Sequence, residues 1–171
     1  MMSLKVLKTG LTSNKIDSDS TDFFNLHRYV EAYLKRVLLI ALRINKVKYN
    51  ESQKIVESTY LNTASLIEKI LFLLDSSEKR QIDVIRNLRS KYKDFFMLYE
   101  LVIKFSSKFR NRLAHGTIEE LKDPELIKLL CHVNKSFFIE FESILQLEHG
   151  HSAFEQPKEW GAVRGLDENI S

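Results

Sequence analysis

The stretch Asp22-Phe23-Phe24-Asn25-Leu26-His27-Arg28-Tyr29-Val30-Glu31-Ala32-Tyr33-Leu34-Lys35-Arg36-Val37-Leu38-Leu39-Ile40-Ala41-Leu42 decides the fold class. Phe23, Leu26, Val30, Tyr33, Leu34, Val37, Leu38 and Ala41 recur at three- and four-residue steps, which puts them on one face of an α-helix. Ser20, Thr21 and Asp22 offer an oxygen to cap its start. The spacing therefore predicts a first helix from Asp22 to about Asn45. On either side the pattern continues without interruption. All 5 glycines (Gly10, Gly116, Gly150, Gly161, Gly165) and the 2 prolines (Pro124, Pro157) fall outside Leu11–His115. A hairpin-rich β protein needs turn glycines within such a length. The block reads as long helices.

A second helix is expected from Asn50 to about Leu74, with Val56, Tyr60, Ala64, Ile67, Leu71 and Leu74 on its inner face. Asp75-Ser76-Ser77 then breaks the pattern. A third helix would run from near Ser77 to His115, about 60 Å if straight at about 1.5 Å per residue. That is long for a chain of this size, so a break or bend is expected between Arg89 and Lys93. Its second half carries Phe95, Leu98, Val102, Phe105, Phe109 and Leu113 as the stripe, and Gly116 stands where a C-terminal cap belongs. Asp123-Pro124 opens a fourth helix, lined by Leu126, Leu129, Leu130, Val133, Phe137, Phe141, Ile144 and Leu145 and stopped by Gly150. The expected architecture is all-α, an up-and-down bundle of four to five helices. An N-terminal extension (1–21) precedes the bundle (22–147), and a polar C-terminal tail (148–171) follows it.

The chain has 171 residues, 44% hydrophobic and 29% charged, an ordinary globular mix for a single domain. Its 1 cysteine, Cys131, excludes an internal disulfide and a cysteine-based metal site. Cys131 and His132 are adjacent in a helix and so diverge, and nothing nearby completes His149-Gly150-His151. No metal and no cofactor are expected. The longest apolar run, Val37–Leu42, is far short of the about 20 residues that span a bilayer. A cytoplasmic protein without a membrane role is expected.

The net charge of +3 is mild, but its distribution is uneven. Lys35, Arg36, Arg43, Lys46 and Lys48 lie in one acid-free stretch, and Lys104, Lys108, Arg110 and Arg112 in another. Together they could attract phosphates. Lys104, Lys108, Arg112, Arg36 and Arg43 are the candidate RNA-binding residues, against the plainer reading of solvated helix backs.

Chemistry concentrates in Arg110-Asn111-Arg112-Leu113-Ala114-His115-Gly116. Arginine is a permanent cation whose fork matches phosphate oxygens, and histidine exchanges protons near neutral pH. On an ideal helix Arg110 and His115 are separated by roughly 140°, whereas Asn111 and His115 share a face. A distorted last turn, or a second copy of the helix across a two-fold axis, would bring arginine and histidine together. Such a pair suits cleavage of RNA by its own 2′-hydroxyl. Glu31 on helix one could approach this cleft, with Lys35 one turn away competing for it. His27 and Arg28 are weaker candidates.

This motif resembles the arginine, four to six residues, histidine signature of HEPN domains, with the polar residue that usually follows the arginine. The likeness extends over Asp22 to Leu147 and includes a first helix similar to Leu26–Lys35. The resemblance implies a metal-independent endoribonuclease, active as a homodimer with a composite site, of the kind that serves as a toxin or phage-defence effector. Carried over by position, Arg110 would bind phosphate and stabilise the transition state, His115 would be the acid/base, and Asn111 would orient the pair. A cognate antitoxin or regulatory protein would be a partner beside RNA. One departure stands out: toxins paired with a nucleotidyltransferase antitoxin often carry a tyrosine two residues after the histidine, and here that position is Thr117. Two rivals belong to other classes. One is a non-catalytic HEPN module that binds RNA, a nucleotide or a partner protein. The other is a regulatory helical subunit whose tail docks a partner.

Overall fold

A computed structural model describes residues 3–12, 20–60, 62–75, 90–116 and 123–154. The expected helix start at Ser77, Thr117 and the tail beyond Phe154 lie outside these residues. All secondary structure among the described residues is helical. The elements are α1 (Leu4–Thr12), α2 (Ser20–Ile44), α3 (Tyr49–Glu57), α4 (Thr63–Asp75), α5 (Lys93–Leu101), a π-helical turn (Val102–Ser106), α6 (Ser107–Ala114) and α7 (Pro124–His149). They sort into two compact units. The first draws on Met1–Tyr33 and Lys93–Ser143, the second on Leu34–Tyr92 and Ile144–Ser171.

In the first unit, α2 buries Phe23, Leu26, Val30 and Tyr33, as its spacing requires. Aromatic side chains form the centre. Phe95 stacks on Phe137 at 5.6 Å and meets Phe141 edge-on at 5.2 Å. Tyr33 packs edge-on against Phe138 at 5.0 Å, and its hydroxyl donates to Glu142 Oε2 at 2.7 Å, so the one polar atom of that ring is satisfied. The N-terminal segment, expected only as an extension, forms helix α1 and buries Leu7 and Leu11. A Cβ on Gly10 would stand 2.5 Å from the Tyr29 ring, so the missing side chain is what lets α1 approach α2 there. At the start of α7, Asp123 Oδ1 accepts from the backbone N–H groups of Glu125 (3.0 Å) and Leu126 (3.3 Å). Pro124 thus occupies the first helical position, where its missing N–H is harmless.

The second unit buries Leu34, Val37, Leu38 and Ala41 of α2 with Val56, Ile67, Leu71 and Leu74. Here the single helix expected over Asn50–Leu74 is interrupted. Thr59 Oγ1 and Ser58 Oγ both turn back to donate to Ile55 O, at 2.6 and 3.1 Å, and take over the end of α3. Asn62 Oδ1 then accepts from Ser65 N at 2.9 Å and opens α4. Tyr60, expected on the buried stripe, lies in this break and is 92% exposed. Within the stretch from Arg89 to Lys93, where a break or bend is expected, the helix is broken at Tyr92, which is non-helical; its hydroxyl and Lys91 Nζ both donate to Glu148 Oε1.

Two further stripe positions are corrected in the first unit. Leu129 is exposed because Ile127 and Leu130 take the inner face of α7. Phe105 is exposed because helical geometry widens to π over Val102–Ser106. That turn places Ser106, not Phe105, over buried Val102.

Candidate active site

The π turn turns Ser106 into the core of the first unit, where it meets His27 of α2 and Asn134 of α7. All three are fully buried. Asn134 Nδ2 donates to Ser106 Oγ at 2.7 Å and to Leu130 O at 2.8 Å. His27 Nδ1 lies 2.9 Å from the same Ser106 Oγ. Burying such polar groups is tolerable only because they bond one another. Burial, and secondarily the positive charge of Arg110, push the His27 pKa down to about 4; the smallest influence, from the Asn134 side chain, runs the other way. His27 is therefore neutral at pH 7.

One helical turn further along each chain segment lies a second polar contact. Glu31 follows His27 by four residues, and Arg110 follows Ser106 by four. Arg110 Nη2 donates to Glu31 Oε2 at 3.3 Å, and Glu31 Oε1 is 3.6 Å from His27 Nε2. Arg110 Nη1 also donates to Asn111 Oδ1 at 3.0 Å, while its guanidinium lies 5.8 Å from the centroid of the Phe24 ring. The arginine is thus fixed by a carboxylate, an amide and an aromatic face, yet its side chain keeps 27% of its exposure. A guanidinium has five N–H donors; one is given to Glu31 and one to Asn111, Nε is buried without a partner, and the donors left for an anion are the second ones of Nη1 and Nη2.

The structure brings Arg110, Asn111 and Glu31 together. Glu31 turns to Arg110, not to the Lys35 that sequence spacing offered. His115 sits at the turn after α6, exposed, its backbone N–H donating to Asn111 O at 2.9 Å. Gly116 follows with φ +67°, the left-handed conformation expected of a helix-ending glycine.

Lys104, Lys108 and Arg112 are exposed in this unit, and Lys104 is paired with Glu100 at 3.3 Å, just outside the acid-free stretch. The other basic candidates belong to the second unit. Arg36 Nε donates to Ala153 O at 2.6 Å. Arg43 is a correction: it is fully buried, with Nη1 donating to Val47 O at 2.9 Å, so it presents no charge at the surface. It holds the turn that ends α2, where free carbonyls need donors. Among the described residues no group of His, Cys, Asp or Glu could hold a metal ion, Cys131 is a buried free thiol, and no helix is long and apolar enough to cross a membrane.

Sequence reasoning passed over Ser106 and Asn134. Each had a signal: Asn134 is a polar residue inside the Leu130–Phe137 stripe, and Ser106 lies one turn before Arg110. Neither signal points to a partner until the π turn is known. No family model matches the chain, and no curated protein and no solved structure is significantly similar to it.

Proposed function

We propose that this protein is a metal-independent endoribonuclease of HEPN type, folded as a HEPN-like helical bundle and acting on RNA in the cytoplasm. The observation that carries the reading is the anchoring of Arg110. A guanidinium braced by Glu31 and Asn111, its side chain still 27% exposed, stands in the helical turn preceding an exposed histidine. Arginine held in this way stabilises negative charge on the phosphoryl oxygens as it develops. His115 serves as the proton carrier. The RNA 2′-hydroxyl loses its proton and attacks the adjacent phosphorus, the bond to the 5′-oxygen breaks, and that oxygen takes up a proton. The products are a 2′,3′-cyclic phosphate and a free 5′-hydroxyl.

A two-fold pairing of two copies would set two Arg110 and two His115 side chains around one cleft, which supplies an acid and a base at once. Lys104, Lys108 and Arg112 would then track the RNA backbone. A toxin or phage-defence role, with an antitoxin or other regulatory partner, accords with this chemistry. The test is cleavage of a broad RNA panel by the purified full chain in excess EDTA, beside Arg110→Ala and His115→Ala, with helical content and oligomeric state matched. Cleavage by wild type alone is expected. RNA binding without cleavage, unchanged in His115→Ala, would favour the binding-module reading instead.

A further inference from the structure

The buried polar set behind Arg110 takes no part in the phosphoryl chemistry, although three fully buried polar side chains are a costly arrangement that apolar residues of similar volume could replace. We propose that His27, Ser106 and Asn134 are positioning residues for Arg110, holding the imidazole as its Nε2–H tautomer so that it steadies the Glu31 carboxylate beneath the guanidinium. Its catalytic consequence rests on the ribonuclease reading; the positioning itself does not.

The tautomer is decided by what faces each ring nitrogen. Asn134 Nδ2 can only donate, so it takes one lone pair of Ser106 Oγ. The Ser106 hydroxyl keeps its own proton and a second lone pair, so it can meet His27 Nδ1, 2.9 Å away, with the ring in either tautomer, and the choice falls to Nε2. If the hydroxyl donates to Nδ1, the ring proton sits on Nε2, which has no hydrogen-bond partner and faces Glu31 Oε1 at 3.6 Å. The opposite tautomer would turn a nitrogen lone pair toward a carboxylate, which is repulsive. Glu31 then divides its oxygens, one toward His27 and one to Arg110 at 3.3 Å. Because the carboxylate lies one turn above the imidazole, and Arg110 one turn above Ser106, the π turn sets both contacts together. Shifting that helix by one residue would separate both pairs.

The test uses the full chain labelled with nitrogen-15 in histidine and arginine, with the His27 signals assigned by their loss in His27→Gln. In wild type at pH 7 the His27 ring shifts should show the Nε2–H form, and the Arg110 Nη signals should be resolved by slow rotation. Ser106→Ala should leave a tautomer mixture and averaged Arg110 signals, and Ser106→Thr, which keeps the hydroxyl, should restore both. On an RNA that the wild type cuts, Ser106→Ala should lower kcat on the order of tenfold to a hundredfold, the scale of a misplaced catalytic group, with KM changed less than about twofold. An Nδ1–H ring in wild type overturns the proposal, and so does an Arg110 signal unmoved by Ser106→Ala. Should Ser106→Ala fail to fold, the wild-type tautomer still decides. Should wild type cut no RNA, the ribonuclease reading falls while the spectra still judge the positioning set.

Discussion

Arg110 Nη2 donates to Glu31 Oε2 across 3.3 Å, joining residues 79 apart in sequence. The contact pairs the motif arginine with a carboxylate of α2 that is itself 30% exposed, so it lies at the surface of the first unit. An ion pair of this exposure contributes little to folding, at most about 1 kcal/mol, because solvent screens it and two long side chains must be ordered. Its effect is geometric.

Glu31→Gln keeps the shape and removes the charge. Stability should change by less than about 1 kcal/mol in denaturant unfolding. Under the ribonuclease reading kcat should fall on the order of tenfold as Arg110 loosens, while KM for RNA should stay level or drop, since one negative charge leaves the phosphate site. A rise in kcat would instead show that Glu31 blocks Arg110.

The π turn makes neighbouring aromatic positions unequal. Phe105→Lys replaces a side chain that is 52% exposed and should shift stability by no more than about 0.5 kcal/mol. Phe95→Ala removes a ring packed against Phe137 and Phe141 and should cost about 3–5 kcal/mol. Thermal or denaturant unfolding of both variants checks the pair. Equal losses would mean that the helix is α-helical through Val102–Ser106.

The same turn shows what was legible in the sequence and what was not. Every apolar residue assigned to the inner face of α2 is buried, because an uninterrupted 3.6-residue repeat leaves one solution. Gly116 and Gly150 end their helices with φ +67° and +66°, as glycine signals suggest. The break after Glu57 carries no glycine or proline; serine, threonine and asparagine side chains make it, and the same residues are tolerated inside helices. A π turn inserts one residue into the repeat, which in sequence is indistinguishable from a stripe with one imperfect position. Ser106 therefore looked incidental and Phe105 looked buried. The motif residues were legible as chemistry, but the pairing of Arg110 with Glu31 over Lys35 was not, because it depends on where the π turn places α6.

The end of α2 offers a test of helix capping. Lys46 N donates to Arg43 O at 2.9 Å and Val47 N to Leu42 O at 3.1 Å, the paired bonds of a Schellman ending. Lys46 occupies the position that glycine favours, with φ +65°. A side chain is strained there by about 1–2 kcal/mol, part of which a glycine returns through the freedom it gains in the unfolded chain. Lys46→Gly should therefore stabilise the protein by about 0.5–1 kcal/mol. A loss of stability on unfolding would show that the Lys46 side chain contributes more than its backbone strain.

Buried His27 should make stability fall as the solution becomes more acidic. Its pKa is about 4 in the fold against an ordinary 6.5, so between those values the unfolded chain binds a proton that the folded chain refuses. Stability rises with pH wherever the unfolded state holds more protons. The contribution of neutral His27 is thus full above about pH 6.5, declines through the window below it, and has been lost by about pH 4; the span corresponds to roughly 3 kcal/mol. Among the described residues Glu31 and Arg110 are the charged groups near the ring, and they act in opposite senses, the carboxylate favouring the imidazolium and the guanidinium opposing it. Carboxylates titrate toward the lower end of the same window, so the measurement is a difference. Urea unfolding of wild type and His27→Gln is compared at pH 7 and pH 4.5. The glutamine variant should be the less stable at pH 7, having lost the fitted imidazole, and the gap should narrow or reverse at pH 4.5. A gap that stays constant would mean that His27 takes up its proton as readily in the fold as in the unfolded chain, and that its burial between Ser106 and Glu31 is not maintained in solution.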